Sequence, residues 1–300
     1  MAGAHVYFGM TTVQDLQSRI QANDQVIWSA AALVLALRTN TPPDLRDASL
    51  TLLHSLGIDV DLSAENDPVT VRQGLAAQAA SAILQSGALL RGDRPWADQS
   101  EETMQAQGRL SARGARLFKD VTLPLLPGLD ALLARPGARM LDVGTGVGAL
   151  AIAYAELFPA LTVVGLDIMP SALKLAAQNV AESTVPHRVE LRNQDVGDLT
   201  EVDTYSLAWI PAPFVSGPAL REGLKRIREA LIPGGWVIMG HAKIRANEGS
   251  AALSRLQTAV YGGTLLDDMR ARDFLIEAGF AQTLSLPTPP GAPAITAGHR

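Results

Sequence analysis

Arg139-Met140-Leu141-Asp142-Val143-Gly144-Thr145-Gly146-Val147-Gly148 is the stretch on which the reading of this chain turns. A short apolar β run meets glycines at alternate positions, and a helical pattern follows at once over Leu150–Phe158. Glycine permits positive φ and lets a ligand come close to the backbone. A helix start just beyond supplies unpaired N–H groups and a favourable dipole. Gly144, Gly146 and Ala149 also satisfy the relaxed dinucleotide pattern G-x-G-x-x-[GA], so the glycines alone leave NAD open. Asp142 is the discriminating residue. A carboxylate two places before the first glycine suits a cationic group better than it suits a pyrophosphate.

Outward from this loop, β runs alternate with helical segments. Strands are expected at Arg139–Val143, Thr162–Asp167, Arg188–Asn193, Leu207–Trp209 and Trp236–Gly240, with helices at Leu150–Phe158, Ser171–Ala181 and Ala219–Leu231 between them. Such alternation predicts a parallel sheet. Two further helices, Ala251–Tyr261 and Leu265–Ala278, precede strands at Gln282–Leu286 and Pro293–Ala297. The short proline-rich link between that last pair has no room for a helix, which predicts antiparallel pairing.

The part before Pro136 reads as helices. Thr12–Asp15 has capping-box spacing, and apolar positions run on to Leu37. A second helix is expected over Leu45–Leu56, stopped by a left-handed Gly57. A third opens at a Thr70–Gln73 capping box and ends near Gly87, and a fourth covers Glu101–Phe118. Arg91–Pro95 is the best linker candidate. The expected organisation is a helical region over 1–95 serving as a cap or homodimer surface, a helical lead-in over 96–135 and an α/β ligand-binding domain over 136–300.

Composition narrows the function. The 300 residues carry a formal net charge of −5 and no cysteine. That balance argues against nucleic acid as the partner, and it excludes disulfides, thiolate nucleophiles and Cys-type zinc sites. The segment Met1–Met10 lacks the features of a secretory signal, and the apolar run Val26–Leu37 is too short to span a bilayer. No membrane partner and a cytoplasmic location are therefore expected. No His/Asp/Glu cluster has convincing metal-ligand spacing, so no metal is expected.

The segment from Asp142 to Gly148 resembles motif I of the class I SAM-dependent methyltransferases, [DE]-x-G-x-G-x-G, and the resemblance extends to about Arg300. It implies a Rossmann-like seven-stranded sheet with the last strand antiparallel, and S-adenosyl-L-methionine as cofactor with S-adenosyl-L-homocysteine as product. Asp142, Gly144, Thr145 and Gly146 would then cradle the methionine end. Asp167, at the close of the second strand, matches the acid that binds both ribose hydroxyls, and Ile168 the residue packing on adenine. Asp195 matches the acid that accepts from the adenine amino group, with Gln194 and Val196 assisting. Pro233-Gly234-Gly235 matches the family's turn before strand five.

The acceptor is expected beyond the end of strand four, where Trp209 borders the cofactor and Pro211, Pro213 and Phe214 form a stiff apolar rim. Amide- and base-methylating relatives carry [ND]-P-P-[YF] there. Pro211 stands where their polar residue would, which disfavours nitrogen. His241 is the best histidine for a general base, read as facing the pocket mouth after strand five; His5, His54, His187 and His299 lie elsewhere. Arg109 or Arg113 is read as reaching the cofactor carboxylate. The expected function is methyl transfer to a small molecule at oxygen, in natural-product metabolism. The alternatives are a peptide or protein carboxyl methyltransferase, or a SAM-binding protein without transferase activity.

Overall fold

The computed structural model describes residues 28–38, 40–58, 69–91, 99–243, 248–288 and 292–300. The Thr12–Asp15 cap and most of the proposed linker lie outside these residues. The chain divides into two compact units between Leu84 and Gln85. In the first, α1 (28–37) and α2 (Pro43–Ser55) bury Ala32, Ala36 and Leu53 together. Gly57 follows α2 with φ +73° and donates to the His54 carbonyl at 2.9 Å, the expected left-handed stop. Helix α3 (Val69–Arg91) runs past Gly87, so that glycine is not the expected terminator.

The second unit holds a seven-stranded sheet: β1 (Arg139–Val143), β2 (Thr162–Asp167), β3 (Val189–Asn193), β4 (Tyr205–Pro211), β5 (Leu231–His241), β6 (Gln282–Leu286) and β7 (Ala294–His299). Their spatial order is β3-β2-β1-β4-β5-β7-β6, and β7 alone is antiparallel to its neighbours. The sheet reverses its winding between β1 and β4, the position where doubly wound sheets open a ligand crevice beyond their strand ends.

Strand periodicity sorts the core into two layers. Met140, Val163, Leu207, Trp236 and Ile238 face a layer containing α4 (Glu101–Leu117), α5 (Leu129–Leu133) and α6 (Ala149–Leu157). Leu141, Val164, Ala208, Val237 and Met239 face α8 (Gly217–Ala230) and α10 (Asp268–Glu277). Helices α7 (Pro170–Glu182) and α9 (Glu248–Tyr261) complete the unit. The central strands are buried on both faces, which explains their nearly unbroken apolar sequence.

One expectation about β5 changes. Pro233-Gly234-Gly235 does not precede the strand but lies within it. Leu231 pairs with Tyr205 and Trp236 with Leu207, so the intervening residues loop out as a bulge. Gly234 takes φ +82°, and a Cβ on Gly235 would stand 2.9 Å from the Ile232 carbonyl oxygen and 3.2 Å from those of Tyr205 and Ser206. All three neighbours are backbone and cannot swing aside. Gly235→Ala should therefore destabilise the fold by about 1–3 kcal/mol, read as a lower urea midpoint with an unchanged slope; an unchanged midpoint would show that the bulge relaxes freely.

Candidate cofactor and acceptor site

The glycine loop is built round a buried carboxylate. Asp142 is 1% exposed, and its Oδ2 accepts the Thr145 hydroxyl at 2.7 Å. Thr145 reaches it because the loop reverses through Gly144, Gly146 and Gly148, at φ +66°, +58° and +76°. The Thr145 amide then donates to the Leu166 carbonyl at 2.9 Å, tying the loop to β2. Gly165 makes this seat possible: a Cβ there would lie 2.7 Å from the Thr145 hydroxyl oxygen. In the sequence Gly165 is one residue of an apolar strand, although an isolated strand glycine is the ordinary mark of close approach.

Asp167 closes β2 with its carboxylate turned to the same loop. Oδ2 accepts the Gly146 amide at 2.8 Å, and Oδ1 accepts the Met169 amide at 2.9 Å. Burial raises its pKa, while the amides of Met169, Gly146 and Ile168 oppose the shift. Asp142 is pushed up to about 7, first by burial, with its Thr145 bond opposing and the charge of Asp167 adding. Beyond β3, Asp195 Oδ1 accepts the Gly197 amide at 2.7 Å, so this residue does cap a turn. Among the described residues no Arg or Lys forms an ion pair with these three acids.

The other residues read as cofactor contacts take different positions. Ile168 is 66% exposed, an apolar side chain beside Asp167 at the rim. Gln194 donates from its amide nitrogen to the Asp198 carbonyl at 3.1 Å. Val196 turns inward: it is buried, and a Cβ on Gly223 of α8 would lie 2.5 Å from its Cγ1. Its side chain belongs to the core, leaving only its backbone near the turn. Trp209 pairs in register with Asp142 and lays its indole over Gly240, where a Cβ would come within 2.6 Å of the ring.

His241 does not face the pocket mouth. It continues the odd-numbered residues of β5, which point to the α8 and α10 layer, away from Asp142 and Trp209. Its side chain has no solvent exposure. Nδ1 lies 3.2 Å from the Ala242 carbonyl oxygen, and Nε2 lies 2.9 Å from the Thr296 hydroxyl and 3.4 Å from Asp268. With the proton on Nδ1, the ring donates to the Ala242 carbonyl and Nε2 accepts from the Thr296 hydroxyl. Burial lowers its pKa, with Asp268 opposing.

Helix α4 sits directly on the loop. A Cβ on Gly108 would fall 2.3 Å from Val147, and Met104 packs with Val147, Ala172 and Leu175. Gln105 and Asn179 exchange amide hydrogen bonds at 3.1 and 3.2 Å, and Asn179 also donates to the Val147 carbonyl at 2.8 Å. With Gly108 against the loop, helical spacing turns Arg109 and Arg113 to other sides of α4.

At the end of β4, Pro211 stands 3.5 Å from where a Gly144 Cβ would be. The following turn is clamped from behind: Thr264 donates from its amide to the Ala212 carbonyl at 2.8 Å and from its hydroxyl to that of Val215 at 2.7 Å. Gly263 lies so close to Pro213 that a Cβ would meet its carbonyl oxygen at 1.9 Å. Phe214 stacks on Tyr261 of α9 with centroids 4.4 Å apart. The Tyr261 hydroxyl bonds to Gln85, Gln85 donates to Gln107 at 2.9 Å, and Gln107 donates to Ser111 at 3.4 Å.

Comparison with known proteins agrees with this geometry. Residues 140–235 match the family described as a methyltransferase domain. Over 111 residues the chain is 34% identical to the release factor glutamine methyltransferase of Cereibacter sphaeroides, a match covering 36% of this chain and 40% of that protein. The chain thus spans well under half the length of this curated relative. Among solved structures, PigF with SAH superposes with a TM-score of 0.64 at 18% identity, covering 96% of this chain and 99% of that one. The mitomycin 7-O-methyltransferase MmcR gives 0.54 at 16% identity, covering 96% and 98%. Residues 140–235 thus resemble a methyltransferase domain, and the sheet that they help to build has the class I, Rossmann-like fold of these solved methyltransferases.

Proposed function

We propose that the chain binds S-adenosyl-L-methionine beyond the ends of β1, β2 and β3 and transfers its methyl group to an oxygen of a small-molecule acceptor, releasing S-adenosyl-L-homocysteine. The observation that carries this reading is the set of carboxylates Asp142, Asp167 and Asp195 at three successive strand ends, none ion-paired with Arg or Lys among the described residues. A pyrophosphate would meet repulsion there; a ligand bearing an ammonium, a sulfonium, ribose hydroxyls and an adenine amino group would not. Asp142 acts from beneath the loop as a buried charge that a cation above it would stabilise. Asp167 oxygens already holding amides retain acceptor capacity for two ribose hydroxyls. Ile168 offers apolar surface for an adenine ring, and the second oxygen of Asp195 an acceptor for its amino group.

The cofactor supplies an electrophilic methyl, so the protein's task is alignment more than covalent help. The apolar rim of Pro211, Pro213 and Phe214 favours a small organic acceptor. The fold shared with MmcR, whose name records 7-O-methylation, supports oxygen. A second reading, methylation of a protein glutamine amide, draws on the identity to the release factor enzyme; Pro211 in place of a polar residue weighs against it. His241, with both ring nitrogens engaged, is a structural residue in this reading.

Calorimetry should show binding of SAM and SAH and none of NAD. Asp167→Ala should raise the SAM Kd about ten- to a hundredfold; unaltered affinity would remove Asp167 from the site. For Asp142 the folded pKa of about 7 lies above the ordinary 3.8. The folded chain then keeps a proton that the unfolded chain releases, so this group's contribution to stability falls as pH rises through that window and levels off above it. Asp142→Asn should flatten the decline in Tm between about pH 5 and 7; an equally steep decline in the variant would place that proton elsewhere. Once an acceptor is known, His241→Asn should leave the pH profile of kcat/KM unshifted, and loss of a neutral-range inflection would restore His241 as a base.

A further inference from the structure

Helix α10 buries Ala271, Phe274 and Leu275 against the sheet and turns its other side outward. That outer side is unusual for a surface helix. Met269 is 67% exposed and Ile276 57%, and among the described residues no other helix exposes two large apolar side chains. Between them stand Arg272 and Asp273, both exposed. Spacings of three, four and seven residues put all four on one stripe. The stripe lines an open groove of about 490 Å³ that reaches Ser285 of β6.

The neighbouring α8 gives the contrast. Its outer face carries Glu222, Lys225, Arg226 and Glu229, which pair with one another along the helix, and it exposes no large apolar side chain. That face is complete in water. On α10, Arg272 donates from Nε to the Thr283 hydroxyl at 3.2 Å, but among the described residues neither it nor Asp273 forms an ion pair.

Single exposed apolar residues are ordinary; the order along this stripe is informative. Successive helical residues are turned by about 100° and rise about 1.5 Å. Arg272 and Asp273 therefore stand almost level, on opposite flanks of the line through Met269 and Ile276. A two-fold axis parallel to the helix sets each residue level with its own counterpart and crosses the flanks. Arg272 then meets the partner's Asp273, and Asp273 meets the partner's Arg272. Met269 and Ile276 close on their counterparts to either side of these two ion pairs. An antiparallel pairing keeps like flanks together, cation against cation and anion against anion.

We propose that this stripe is a docking surface for a second copy of the chain, with α10 packed parallel to its counterpart about a two-fold axis. The charges select the partner and its direction together, since the stripe is complementary to itself in one arrangement only. A helix of 10 residues gives a small interface, so the association is weak and depends on concentration.

The chain has no cysteine, so single introduced thiols report on this face alone. In the full chain, Met269→Cys and Ile276→Cys should each cross-link to a dimer on mild oxidation, with a yield that rises with protein concentration. Positions 269 and 276 of opposite copies would stand about 10 Å apart along the helices, beyond the reach of a disulfide. A mixture of the two variants should therefore give no mixed product. Val202→Cys, at a position 62% exposed elsewhere on the chain, should give no dimer. Adding Arg272→Asp to Met269→Cys sets carboxylate against carboxylate and should lower the yield about tenfold. Adding Asp273→Arg as well should restore it to within about twofold. No dimer from either cysteine, cross-linking of the mixed pair only, or a yield matched by Val202→Cys would each overturn the proposal. A yield untouched by Arg272→Asp, or one not recovered by the swapped pair, would do the same.

Discussion

The site depends on how one buried carboxylate is satisfied. Asp142 lies within β1, between two strands and beneath a loop, where an unpaired charge costs several kcal/mol. Its hydroxyl partner, Thr145, comes from three residues further on. For that side chain to turn back, the backbone must reverse within the space between them, and the left-handed glycines make the reversal. The same hydroxyl needs the strand beside it to lack a side chain, which is the place of Gly165. A pattern that reads as a nucleotide fingerprint is therefore also the solution to a burial problem.

The loop is held from three directions. The amide of Thr145 binds it to β2, Asp167 grips the Gly146 amide, and α4 with Asn179 closes over Val147. None of these contacts needs a ligand. A loop already bonded in its working shape has less conformational freedom to lose when a ligand arrives. Backbone amides from the loop and carboxylates from the strand ends thus stand at fixed spacing, the condition for recognising a ligand with several separated polar groups.

Much of this was legible in the sequence, and the residues show why. Asp142 and Asp167 each follow a recognisable apolar run, so their place at a strand end was readable from local pattern, whereas Asp195 follows the mixed run Val189–Gln194 and was placed by the family resemblance. The antiparallel β7 followed from a connection too short for a helix. His241 was misjudged because strand position was counted without the two-residue alternation that decides which face a side chain takes. That the Val196 side chain is buried was not readable, because Gly223, distant in sequence, leaves the hole that it fills. The bulge at Pro233–Gly235 looked like a turn because the same residues make both.

The two halves of the cleft differ in how they are encoded. The proposed cofactor half is drawn from consecutive strand ends of one winding pattern, so a single stretch of sequence carries most of it. The proposed acceptor half takes Pro211 from the end of β4, Phe214 from the turn after it and, stacked on Phe214, Tyr261 from the end of α9. Each is an ordinary residue for its element: a proline at a strand end, an aromatic in a turn. Only their convergence gives them meaning, and convergence is a property of packing. Acceptor specificity can therefore change by single substitutions at scattered positions while the loop round Asp142 stays as it is. A shared motif in this fold accordingly informs on the methyl donor more than on what receives the methyl.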